Sequence, residues 1–253
     1  MKIESLCYKI KKKTILDDIS FDFKEGMITG LIGRSGSGKT ALLNVLAGAV
    51  EHTDGRILQN NEILSAPKRK KISMLFPGKT DYSPYMTIRE LILSGTPRHF
   101  YKKREAYSQI EDFIHAVCLY FHLTPYLQFH CGEVPDAILK KSYLAASFIT
   151  LKPLMFLDNP DTHLDPLSLI QLINLIHHIC IEKRVRFVIA SHNINFIFSC
   201  CTHYIALGKG QILFSDKKEK ITDQIMGEIF GMDIICNHNI ANGSPEFHFY
   251  HQV

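Results

Sequence analysis

The chain has 253 residues, of which 46% are hydrophobic, enough for one large domain with a packed core and too apolar for a disordered polypeptide. A formal net charge of +4, with basic clusters no longer than residues 11–13 and 68–71, does not describe a nucleic-acid-binding surface. Seven cysteines without framework-like spacing and no charged-then-apolar leader imply a reduced, cytosolic protein; apolar runs such as 143–150 end at Lys152 and Pro153, short of the ~18 residues a membrane span needs.

Residues 2–8 and 14–23 alternate apolar with polar, which predicts two half-exposed antiparallel strands before Gly26. MITGLIG (27–33) predicts a buried strand, and 39–47 a helix closed by Gly48. GRILQN (55–60) and KKISMLF (70–76) predict further strands, and 87–93 a short helix. From about 84 to 150 the strand signals vanish, and Ile110, Phe113, Ile114, Val117 and Phe121 recur at helical spacing. This stretch is expected to form a helical lobe inserted into an α/β domain. LMFLD (154–158) and VRFVIASH (185–192) predict buried parallel strands. The apolar helix that joins them begins at Asp165 and Pro166, an N-cap followed by proline at the first helical position. HYIALGKGQILF (203–214) predicts a hairpin, and a short helix with a tail, about 215–253, completes the chain.

GRSGSGKT fills the turn between the strand at 27–33 and the helix at 39–47, and matches the phosphate-binding P-loop in the context that confirms it. In such a loop Gly33, Arg34, Ser35, Gly36, Ser37 and Gly38 curl so that successive backbone N–H groups face phosphate oxygens. The helix N-terminus adds partial positive charge. Lys39 supplies a point charge for the β and γ phosphates, and the Thr40 hydroxyl is the expected Mg²⁺ ligand. The loop alone does not separate a kinase from a GTPase or a transport ATPase.

The order of the remaining motifs does separate them. LCY at 6–8, LMFLD at 154–158, THLD at 162–165 and ASHN at 190–193 follow one another as in the ATP-binding subunits of ABC transporters, which the chain resembles over nearly its whole length. The resemblance implies a single ABC-type P-loop domain over 1–253: a mixed sheet core, an antiparallel β subdomain and an inserted helical subdomain. It also implies that Tyr8 stacks on adenine, that Asp158 at the end of the Walker B strand serves Mg²⁺, and that His192 contacts the γ-phosphate. ATP and Mg²⁺ are the implied cofactors. Integral membrane permease subunits and a second ABC ATP-binding subunit are the implied partners, with the chain peripheral on the inner face of the membrane. MTIRELILSGTPRH (86–99), with IFGMDI and GSPEF near the C-terminus, looks most like the importer branch that serves iron complexes, haem and cobalamin.

Several positions depart from the family pattern, and they cluster at the γ-phosphate. Where the family carries a glutamine after the strand ISMLF, this chain has Pro77, which has neither a side-chain amide nor a backbone N–H. Where the family carries the catalytic glutamate, this chain has Asn159, whose neutral amide can orient a water but cannot take its proton. Asp161, in the loop beyond the strand, is not expected to substitute. The signature that contacts the opposite subunit's nucleotide is not intact: the family's spacing from Asp158 lands on VPDAI (134–138), and the nearest lookalike is HCGE (130–133). The expectation is therefore a transport ATPase of weak activity, or a nucleotide-binding, poorly hydrolysing partner of another ABC subunit. The clusters CCTH (200–203), HH (177–178) and HC (130–131) lack metal-ligand spacing and are expected to be buried free thiols and ordinary histidines.

Overall fold

A computed structural model of the chain describes residues 1–24, 26–76, 83–96, 104–150, 152–238 and 245–249. The N-terminal half runs β1 (Lys2–Ile10), β2 (Lys13–Asp22), β3 (Ile28–Ile32), α1 (Lys39–Leu46), β4 (Asp54–Gln59), β5 (Glu62–Ile63), α2 (Ala66–Ile72) and β6 (Ser73–Phe76). Three helices follow: α3 (Ile88–Leu93), α4 (Arg104–Tyr120) and α5 (Asp136–Ile149). The C-terminal part runs β7 (Leu154–Asp158), α6 (Pro166–Lys183), β8 (Arg186–Ala190), α7 (Ile194–Cys200), β9 (His203–Gly208), β10 (Gln211–Lys217), α8 (Asp223–Phe230), β11 (Ile234–His238) and β12 (Pro245–Phe249).

Among the described residues the first sheet is antiparallel with order β2-β1-β4-β5, and the larger one has order β10-β9-β3-β8-β7-β6. The larger sheet is parallel except for the β9/β10 hairpin at its edge. Successive side chains of a strand point to opposite faces. Leu31, Phe156 and Val188 accordingly pack towards α1 and the first sheet, whereas Ile32, Leu157 and Ile189 pack towards the helices on the other side. α1 is apolar on both flanks, with Leu42, Leu43, Val45 and Leu46 fully buried, because it lies between β7 and β8 on one side and β2 on the other.

Helices α3, α4 and α5 stand between β6 and β7, where the helical spacing predicted them. α3 opens on a capping box, Thr87 Oγ1 accepting from Glu90 N at 3.2 Å and Glu90 Oε2 accepting from Thr87 N at 2.9 Å. At its end Gly95 comes so close to α5 that a Cβ there would lie 1.9 Å from the Ala146 carbonyl oxygen. Ile114 and Val117 of α4 are buried, as is Phe121 just beyond it; the Ile110 side chain lies outside the described residues.

Three expectations need correction. KKISMLF is strand only from Ser73, because Ser65 and Pro67 give the preceding residues helix-start signals and Arg69 turns inward to donate to Leu64 O at 2.6 Å and Glu51 Oε2 at 3.1 Å. The segment after α8 is more than a tail: β11 and β12 pair antiparallel, and Phe247 packs on Phe198 with ring centroids 4.6 Å apart. The strand predicted over 185–192 ends at Ala190, and Asn193 then caps α7, a helix absent from the sequence reading. Cys118, Cys131, Cys180, Cys200 and Cys201 are buried free thiols. Among the described residues no helix is long and apolar enough to cross a membrane.

Candidate functional site

β3, β7 and β8 are adjacent and parallel, so the loops leaving their C-terminal ends gather at one edge of the sheet. The loop after β3 turns into α1 through glycines whose positive φ angles would strain a residue with a side chain. Gly33 has φ 143° and a Cβ there would lie 2.2 Å from the Leu207 carbonyl oxygen; Gly38 has φ 108° and a Cβ would lie 2.9 Å from the Leu16 side chain. Lys39, only 6% exposed, folds its ammonium back over this loop. Its Nζ donates to Gly33 O at 2.7 Å and to Arg34 O at 3.1 Å. Burial pulls the Lys39 pKa below the usual lysine value, and the Asp158 carboxylate opposes that shift.

Asp158, the buried last residue of β7, accepts twice. Thr40 Oγ1 donates to its Oδ2 at 2.8 Å, and Asn159 Nδ2 donates to its Oδ1 at 2.9 Å. Because a carboxylate is acceptor-only, the second bond fixes which way the Asn159 amide points. Asn159 itself has φ 48°, a left-handed conformation that asparagine tolerates better than most residues. Its N–H donates to Ala190 O at 2.7 Å, while its Oδ1 is buried without a hydrogen-bond partner among the described residues.

These groups surround a cleft of about 560 Å³. The structure brings Tyr8, Ser35, Gly36, Ser37, Gly38, Lys39, Thr40, Asn159 and His192 onto its walls. Gly33, Arg34 and Asp158 stand behind the walls: Gly33 and Arg34 offer carbonyls to Lys39, and Asp158 is reached through Thr40 and Asn159. The Arg34 side chain faces a second cleft of about 550 Å³ on the far side of the loop, together with Lys209, Leu213 and Glu228. Sequence reasoning missed Ile10, Ile15, Asn44 and Val50, which also line the first cleft. A signal was available for Ile10, since the strand period of two puts it on the same face as Tyr8.

The two candidate signature segments separate clearly. VPDAI straddles the start of α5, with Pro135 as N-cap and Asp136 in the first turn, whereas Cys131–Glu133 of HCGE is a 3-10 turn. Of the two, VPDAI alone presents an α-helix N-terminus. Pro77 lies outside the described residues.

The family model described as ABC transporter matches residues 16–162. An ABC transporter ATP-binding protein of Bacillus subtilis (strain 168), YybJ, is 30% identical over 227 residues, covering 86% of this chain and 96% of its own. The petrobactin import ATP-binding protein FpuD of Bacillus anthracis is 21% identical over 235 residues, covering 91% of this chain and 86% of its own. Among solved structures, an inward-facing conformation of a putative metal-chelate type ABC transporter superposes with a TM-score of 0.80 at 17% identity, over 99% of this chain and 96% of that one.

Proposed function

The chain belongs to the ABC transporter family, and on that premise we propose that this ATP-binding subunit serves an importer, closing on a second ATP-binding subunit to move membrane permease partners. Binding of ATP with Mg²⁺ belongs to this architecture, and the cleft fits it. In this reading Lys39 and the glycine-rich turn meet the phosphates, and Tyr8 with Ile10 and Val50 forms an aromatic and apolar wall for the base; their shared cleft supports it. Thr40 and Asp158 hold two hard oxygen ligands for Mg²⁺, which when bound would neutralise phosphate charge. His192, at the same cleft, is assigned to the γ-phosphate.

The observation that carries this reading is the 2.8 Å contact between Thr40 Oγ1 and Asp158 Oδ2, which joins the phosphate loop to the end of β7. The test is to purify the chain and measure ATP binding with and without Mg²⁺, beside hydrolysis. Binding that ignores both Mg²⁺ and the Thr40→Ala substitution would refute it.

A second reading, a nucleotide-binding subunit that hydrolyses poorly or not at all, is favoured by Asn159. Its amide is engaged with Asp158, and no carboxylate lines the cleft among the described residues. Losing a general base costs roughly 10²- to 10⁴-fold in rate. In a homodimer both composite sites would combine Asn159 with the VPDAI helix, whereas a partner with an intact glutamate and signature would leave one defect in each. Pull-down from the native cell separates these assemblies. We further assign the cargo to iron complexes, haem or cobalamin, on residues 86–99 and the C-terminal motifs, in line with the petrobactin relative. Uptake of ferric chelates against other cargoes by the reconstituted complex tests that assignment.

A further inference from the structure

Asp161 is a half-buried carboxylate beside the site that does not line the cleft. Its Oδ1 accepts from Ser191 Oγ at 2.7 Å, and Ser191, 3% exposed, in turn accepts from Asn193 N at 2.9 Å. A serine hydroxyl has one proton, so its rotor is set once a backbone N–H occupies a lone pair and a carboxylate takes the proton. Asn193 Oδ1 then caps α7 by accepting from Phe196 N at 3.0 Å. His192 is the residue between these two anchors, one from the loop after β7 and one from the start of α7.

The charge itself needs compensation. Burial pushes the Asp161 carboxyl above its ordinary value, against the Ser191 hydrogen bond and the nearby charges of Lys140 and His192. Lys140, 8% exposed on α5, has no carboxylate within ion-pair distance among the described residues; its Nζ lies 4.6 Å over the Phe76 ring and feels both Asp161 and Asp158. A half-buried carboxylate near a buried ammonium is costly unless each group is used.

We propose that Asp161 is a positioning residue for His192, fixing through Ser191 the turn 191–193 that holds the imidazole at the cleft, with Lys140 of α5 as its counter-charge. The proposal rests on the reading that His192 serves the γ-phosphate, but its structural half can be tested apart from it. On the full chain, amide hydrogen exchange at residues 191–193 is measured without nucleotide, and the preference for ATP over ADP is measured with Mg²⁺.

Asp161→Ala is expected to speed exchange at Asn193 by roughly tenfold or more, the lower end of what one hydrogen bond to a charged group is worth. It should also lower the ATP preference as far as His192→Ala does, with the double variant adding no more than about twofold. Asp161→Asn, whose amide oxygen can still accept from Ser191, should stay within about threefold of the parent chain on both readouts. Should Asp161→Ala not fold, Ser191→Ala removes the same bond from the other side, but also the acceptor of the Asn193 N–H. The readout there is therefore the ATP preference, which must fall as far as in His192→Ala, and an unchanged preference would overturn the proposal. Unchanged exchange, or effects on ATP preference that multiply in the double variant, would overturn the proposal. If His192→Ala alone leaves the ATP preference intact while Asp161→Ala still speeds exchange, positioning stands and the γ-phosphate reading is what fails.

Discussion

Asn159 donates its side-chain amide to the carboxylate of Asp158 across 2.9 Å, a bond that a glutamate at the same position could not make. Asn159→Glu should therefore do two opposite things. It places a proton acceptor at the cleft, and single-turnover hydrolysis in an assembled complex is expected to rise at least about tenfold. It also removes one hydrogen bond and puts a bulkier residue at φ 48°, so the nucleotide-free chain should lose about 1–2 kcal/mol of stability in denaturant titration. A faster enzyme in isolated and assembled protein alike would contradict the composite site.

Lys39→Ala should cost roughly ten- to a hundredfold in ATP affinity, the range for removing one charge-assisted partner of the phosphates. Isothermal titration with MgATP reads this directly. Affinity equal to that of the parent chain would remove Lys39 from the site, whatever its bonds to Gly33 and Arg34.

Asp165 caps α6, its Oδ2 accepting from Ser168 Oγ at 2.6 Å and its Oδ1 from Ser168 N at 2.9 Å. The Ser168 hydroxyl, then the Ser168 N–H, hold its pKa down from 3.8 to about 2. A depressed carboxylate stabilises the fold above its unfolded pKa and loses that contribution as pH falls through the folded value. Asp165→Ala should thus cost about 1 kcal/mol at neutral pH. The difference between the two proteins should shrink between pH 3.8 and about 2.

Gly95→Ala drives a methyl into the Ala146 carbonyl oxygen and must part α3 from α5. Overpacking of this kind costs about 2 kcal/mol, or about 4–8 °C in Tm for a domain of this size. An unchanged Tm would mean that the two helices yield without penalty.

Local signals made much of this legible. The phosphate loop announces itself because its glycines, lysine and threonine are contiguous, and the strand alternations, the N-cap at Asp165 and the helical spacing of 110–121 each act within a few residues. The missed features depend on distance. Arg69 lies in a basic run that reads as a solvated face, yet it is buried against Glu51, and that inward turn accompanies helix α2. Asp161 meets Ser191 thirty positions away only because β7 and β8 lie side by side, so its position in a loop concealed its contact. Residues 234–249 lack a contiguous signal because each strand is completed by the other.

Asp158 pairs directly with Ala190 across β7 and β8, so the spacing between the end of one strand and the histidine segment after the other is set by the sheet. Neighbouring strands keep a fixed separation of about 4.8 Å whatever their side chains. Position 159 lies one residue beyond this pairing, so a substitution there changes the side chain at the end of β7 while the strand spacing stays with the backbone of the sheet.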